Sequence, residues 1–183
     1  MALSRTCALS DFADCLSVAA WQQALAAEAW AAWERQSHVR TRTPALCVNW
    51  SGCPFEAPGP TGAVYQYRHQ AVNGVKRERL PAMYGLSVLD HVEAPVKFLS
   101  DAATVLRPGG LLVVTYAFWD AEGPDLAEGA ADRRRIYDAT SQRKLIVEAR
   151  RIGLAPFGGI DWAYHGDTLS DHTLASLVLM KGD

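Results

Sequence analysis

The sequence predicts an α/β fold, a layered sheet with helices on its faces. Three observations carry that expectation. Residues 82–89, AMYGLSVL, read as an apolar strand, and Val96, Leu99, Ala103 and Leu106 then recur at helical spacing. Pro108, Gly109 and Gly110 break the chain, and LLVVTYAF (111–118) follows as an unbroken apolar run with β-branched residues. Such a run suits a central strand covered on both faces, so strand, helix and strand make a βαβ unit whose crossover should be right-handed.

Around that unit the chain is read in order. From Ser10 to about Gln36 it is rich in Ala, Leu, Gln and Glu, lacks Gly and Pro, and opens with Ser10 and Asp11 as caps, which predicts a helix. Leu16, Ala20, Ala27, Trp30 and Ala31 share one side, with Trp33 near its edge, so this helix should pack on the domain. Trp21, Trp30 and Trp33 also admit a ligand-stacking reading, but aromatics at helical spacing more often bury surface. Residues 37–44 read as a polar linker. They separate an N-terminal helical extension (1–44) from an α/β domain (45–183), the whole forming one compact unit.

ALCVNWSG (45–52) reads as a short buried strand ending in a turn, and the proline-rich CPFEAPGPTG (53–62) as a loop. AVYQYRHQAV (63–72) alternates like a strand, and Asn73-Gly74 is a hairpin signal. VKRERL (75–80) suits a solvated charged face better than a phosphate site. After a loop holding Gly123, Pro124 and Gly129, a helix over 139–152 turns Leu145, Ile146, Ala149 and Ile152 inward and stops at Gly153. GGIDWAYHG (158–166) and TLASLVLMK (173–181) should close the fold as an antiparallel pair.

Totals narrow the function. A chain of 183 residues holds one well-buried core. With 18 basic and 20 acidic residues and no long basic stripe, nucleic acid is disfavoured as a partner. No stretch approaches the roughly 20 apolar residues of a bilayer span, and Asp11 and Asp14 interrupt any secretory signal, so no membrane role is expected. Four cysteines (7, 15, 47 and 53) without a Cys-x-x-Cys pair suit a reduced, cytoplasmic protein.

YGLSVLDHVEAPVKFLSDAATVLRPGGLLVVTYAF (84–118) resembles the second half of class I S-adenosylmethionine-dependent methyltransferases. In that family a strand ends in a Ser-x-Leu-acid-His-like corner, a helix follows, and Leu-basic-Pro-Gly-Gly introduces the next strand. KLIVEARRIGLAPFGG (144–159) looks like the family's late helix and the start of the strand after it. The resemblance implies a Rossmann-like methyltransferase sheet, truncated in its N-terminal half, with helices on its faces and an N-terminal helix. It implies S-adenosylmethionine as cofactor and an unknown small-molecule acceptor.

In open parallel sheets ligands sit at strand carboxyl ends near the topological switch point. That places Gly85, Ser87, Leu89 and Asp90 at the implied cofactor site. Asn49 and Gly52 stand where the family has a Gly-x-Gly-x-Gly turn, yet no such triplet occurs anywhere in this chain. Only 36 positions separate Gly52 from Val88, a short interval for the strands and helices the family places there. No acidic residue for the ribose hydroxyls is assigned, because Glu56 lies too close to the turn. The departure keeps a second function in view: a noncatalytic pseudo-methyltransferase with a degenerate cofactor site, acting in oligomerisation or partner binding. A shortened sheet would leave an exposed edge or apolar face, so a homo-oligomer or a partner chain is expected.

Methyl transfer is an in-line displacement that gains most from holding donor and acceptor in contact. For a hydroxyl acceptor a base helps, and His91 is the candidate; capping or packing at the helix start is the commoner role for such a histidine. Asp90 either caps that helix or lines the site. His165, Asp167, Asp171 and His172 lie close in sequence but lack a zincin helix's i, i+4 histidine pair, so no metal site is expected. Tyr116, Phe118 and Trp119 either wall a small-molecule pocket or belong to the core.

Overall fold

The computed structural model describes residues 18–37, 46–49, 64–66, 78–118, 135–158 and 173–183. Its elements are α1 (Val18–Ser37), β1 (Leu46–Asn49), β2 (Val64–Gln66), β3 (Leu80–Leu86), α2 (Pro95–Val105), β4 (Leu106–Phe118), α3 (Ala139–Arg151), β5 (Leu154–Pro156) and β6 (Thr173–Lys181).

The strands form one sheet in the order β2-β1-β3-β4-β6-β5. The first four run parallel, whereas β6 is antiparallel to both β4 and β5. From β1 the chain steps outward to β2, then returns to β3 on the other side of β1. The strand order therefore reverses between β1 and β3, the position at which open α/β sheets bind ligands.

The expected βαβ unit is present. β3 and β4 are parallel neighbours, with Ala82 opposite Leu111, Met83 opposite Leu112 and Gly85 opposite Val114. Pro95 sits in the first turn of α2, where a missing N–H costs no helical bond. The buried side of α2 is Phe98, Leu99, Ala102, Ala103 and Val105, while Val96 is 41% exposed, so the predicted stripe was out of phase at that residue. Leu106 to Gly110 do not separate helix from strand. They belong to β4, and the register against β3 shifts between Leu80 and Ala82 to take them in.

The sheet is covered on both faces. On one, α2 and α3 enclose Met83, Leu112, Val114, Tyr116, Leu145 and Ile146. On the other, α1 lays Ala26, Ala29, Trp30 and Trp33 over Ala82, Tyr84, Leu86, Leu111 and Val113. The buried side of α1 is thus Trp21, Gln22, Ala26, Ala29, Trp30 and Trp33, whereas Ala27 is exposed and Ala31 half-buried. The three tryptophans are core, and Trp30 and Trp33 pack with ring centroids 5.0 Å apart.

β2 and β3 lie on opposite sides of β1. β6 has as its antiparallel partners β4 and the short β5. The Asn73-Gly74 turn, and residues 159–166 of the segment expected to pair with β6, lie outside the described residues. The α3 helix matches its predicted span to one residue. Asp138 and Ser141 cap it reciprocally, and Gly153 after it takes a φ of +84°. Among the described residues no helix is long and apolar enough to cross a membrane.

Candidate functional site at the strand carboxyl ends

The corner after β3 is built by hydrogen bonds from three elements. Ser87 has a φ of +48°, in the left-handed region that a residue with a side chain enters at a cost of about 1–2 kcal/mol. Its N–H donates to the Thr115 hydroxyl at 2.8 Å, and the Val88 N–H donates to the Thr115 carbonyl at 3.3 Å. From α1, the Gln22 amide donates to Ser87 Oγ at 2.9 Å and to Thr115 Oγ1 at 2.8 Å. The strained residue is therefore locked to β4 and α1 together, the kind of over-determination that preserves unusual backbone at sites.

The next residues fold under the strand ends. The Leu89 side chain is fully buried in the core, and its carbonyl accepts from the Tyr137 hydroxyl at 3.1 Å. The Asp90 carbonyl accepts from the Arg135 N–H at 2.8 Å. Tyr137 also donates its N–H to the Ala117 carbonyl and bridges in parallel to Phe118. Residues 135–137 thereby strap the corner to the end of β4. The His91 N–H closes a turn onto the Val88 carbonyl.

The ionisable groups gather on this strap. The Asp90 carboxylate is buried, and its Oδ2 lies 3.7 Å from His91 Nε2, whose side chain retains 11% exposure. Burial raises the Tyr137 hydroxyl above its ordinary range; Arg135 opposes the rise and the charge of Asp90 adds to it. Tyr116 packs against Tyr137 with tilted rings and centroids 4.8 Å apart, and burial first, then Tyr137, hold its hydroxyl well above the usual tyrosine range. Both phenols stay neutral at physiological pH. Tyr116 and Phe118 are core residues, and Trp119 lies outside the described residues.

The structure brings several predicted residues together. Asn49 is the last residue of β1 and is paired with Leu86, next to Ser87, so Asn49, Ser87, Leu89, Asp90 and His91 fall at one end of the sheet. Gly85 sits one step inside β3 on the α2 face. A Cβ there would lie 3.2 Å from both the Phe98 ring and Val114, so its missing side chain serves helix packing. Gly52, Glu56 and the cluster from His165 to His172 lie outside the described residues. Among the described residues no three metal-ligating side chains converge.

One position escaped the sequence reading. Gln22 was hidden in an alanine-rich helix, and only its polarity on the face now known to be buried could have marked it.

No protein-family model matches the chain, and no curated protein matches it. Solved structures do. The [4+2]-cyclase SpnF superposes with a TM-score of 0.56 at 15% identity, covering 85% of this chain and 82% of that one. The Burkholderia thailandensis 1,6-didemethyltoxoflavin-N1-methyltransferase, solved with 1,6-didemethyltoxoflavin and S-adenosylhomocysteine, gives 0.55 at 15% identity over 97% and 85%. A chain of the complex between the Haloferax volcanii Trm112 methyltransferase activator and a methyltransferase gives 0.51 at 10% identity over 96% and 98%. Identities this low speak for architecture alone, and that architecture is the α/β fold of the class I S-adenosylmethionine-dependent methyltransferases.

Proposed function

We propose that this chain binds S-adenosylmethionine in the crevice between the carboxyl ends of β1 and β3 and transfers its methyl group to a small-molecule acceptor. The observation that carries the reading is the switch point itself. There a half-buried, hydrogen-bonded corner at Ser87 lies beside the end of β1. The residues that would hold the group are Asn49, the last residue of β1, and Ser87 with the backbone of Leu89 and Asp90 along the other wall. When bound, S-adenosylmethionine supplies an electrophilic methyl group on a sulfonium. The chain's part is to orient the acceptor, exclude water and hold its proton.

In this reading His91 is the base. The Asp90 carboxylate lies 3.7 Å from its imidazole, in position to orient the ring. Calorimetric titration with S-adenosylmethionine and S-adenosylhomocysteine tests the binding step. Saturable heat supports it, and none at millimolar ligand with a folded sample contradicts it. With an acceptor in hand, His91→Ala should lower kcat more than KM, by about 10²-fold or more if the proton transfer is catalysed.

One observation favours a second reading. The chain lacks a Gly-x-Gly-x-Gly triplet throughout, and the residue after Asn49 in the sequence is Trp50. A fold hosts many functions, as a cyclase among the similar structures illustrates. The alternative is a noncatalytic relative that works as an oligomerisation or partner-binding module, and the activator complex among the similar structures lends support to a partner. Light scattering of the purified chain, alone and with ligand, separates a self-associating module from a ligand-binding monomer.

A further inference from the structure

We infer that Gln22 is a positioning residue for the proposed cofactor crevice and that it acts through the hydroxyl of Ser87. This inference rests on the S-adenosylmethionine-binding reading above. Gln22 lies on α1, 65 residues before Ser87, in a helix rich in alanine and tryptophan, yet its side chain is only 7% exposed. Burying an amide in such a helix is costly unless its hydrogen bonds are made. Gln22 makes them at the corner, to Ser87 Oγ at 2.9 Å and Thr115 Oγ1 at 2.8 Å.

The direction of those bonds sets the chemistry. A hydroxyl has one donor and two acceptor sites. Gln22 donates to Ser87 Oγ, so it occupies an acceptor site and leaves the Ser87 proton free to donate elsewhere. A hydroxyl that accepts one bond becomes a better donor in the next. The Thr115 hydroxyl already accepts the Ser87 N–H as well as the Gln22 amide, so it offers the Ser87 proton a poor target. Gln22 thus holds Ser87 as a donor at the switch point, suited to an acceptor atom of the ligand such as a carboxylate oxygen or a ring nitrogen. The same bonds fix Ser87 at a φ of +48°. Docking of α1 and ligand affinity become one coupled property of the corner.

The test is a double-mutant cycle read by calorimetric titration with S-adenosylhomocysteine, using the full chain, Gln22→Met, Ser87→Ala and the double variant. Circular dichroism and thermal midpoints establish that each is folded. The expected result is binding by the unmodified chain, weakening of about three- to tenfold in each single variant, and no further weakening in the double variant over Ser87→Ala. A merely structural glutamine would lower the thermal midpoint while its effect on affinity multiplied with that of Ser87→Ala, and that outcome overturns the inference. So does wild-type affinity in Gln22→Met. Should Gln22→Met fail to fold, Gln22→Glu keeps the size but draws the Ser87 proton toward itself, and unchanged affinity there also overturns it. Absence of heat with the unmodified chain removes the cofactor reading and this inference with it, whereas binding by that chain and undiminished affinity in every variant removes the inference alone.

Discussion

The two ends of the β3–β4 pair solve the same problem in opposite ways. At the amino end β4 uses glycine: Gly109 takes a φ of +69° in open space, and at Gly110 a Cβ would meet the Arg107 carbonyl at 2.8 Å and the Leu80 carbonyl at 3.1 Å. At the carboxyl end a serine takes the left-handed conformation and keeps its side chain. The same helix anchors both. Trp33 donates its indole N–H to the Gly109 carbonyl at 2.7 Å, with Arg107 5.5 Å over the ring, while Gln22 holds Ser87. Eleven helical residues, about 16 Å, separate the two anchors.

The difference separates construction from use. Where only backbone geometry matters, a missing side chain is the simplest solution. Retaining a hydroxyl against strain and surrounding it with hydrogen bonds needs another reason, and the proposed function supplies one in ligand contact. Positive φ alone does not make the distinction. Glu78 has a φ of +53°, but it is exposed and sits in the turn leading into β3.

Substitutions at the two ends should therefore affect different measurements. Trp33→Ala should cost the most stability, about 3–5 kcal/mol by denaturant unfolding, with ligand affinity of the folded protein kept. Gly110→Ala should cost about 1–3 kcal/mol because backbone must move to admit a methyl group. Ser87→Gly should relieve strain, change stability by less than about 1 kcal/mol, and weaken S-adenosylhomocysteine about three- to tenfold. If Ser87→Gly instead destabilised as Gly110→Ala does and left affinity alone, the carboxyl-end corner would be construction too.

Away from the comparison, Asp138→Ala should cost about 1 kcal/mol through loss of the α3 cap. The Ser141 side-chain and backbone bonds hold the Asp138 carboxyl below its ordinary range. Its contribution is full above the unfolded aspartate value and lost as pH falls through the lower folded value. Solvent reduces that share, because the carboxyl is largely exposed. Tyr116 and Tyr137 act in the opposite direction. Their folded values are raised, so the stability they lend is full below the ordinary tyrosine value, about 10, and lost as pH rises beyond it. Stability curves of the Asp138→Ala and Tyr137→Phe variants against pH would show these acid and alkaline losses diminished.

What the sequence revealed follows contrast in side-chain chemistry. The β3–α2–β4 unit was legible because long apolar runs, helical spacing and a Pro-Gly-Gly break point to one arrangement, and Met83 to Gly85 do lie parallel to Leu112 to Val114. The α3 helix was legible because Leu145, Ile146 and Ala149 stand out among charges. In α1 the contrast is weak: alanines lie all around, so its phase was misjudged at Ala27 and Ala31. The buried Gln22 is held by hydrogen bonds that no hydropathy pattern records. Parallel pairing of β2 with β1 was also invisible, because the sheet order is set by distant contacts. The corner motif could be located from sequence, but the left-handed Ser87 could not, because that conformation depends on Thr115 and Gln22.

Hydrogen exchange with and without S-adenosylhomocysteine tests the central claim most directly, because it compares both ends of the sheet in one experiment. The account predicts that ligand protects the amides of Ser87 to His91 and the end of β1, and leaves Arg107, Gly109 and Gly110 unchanged. Protection confined to the Arg107–Gly110 end, or none at any amide under saturating ligand, would contradict it.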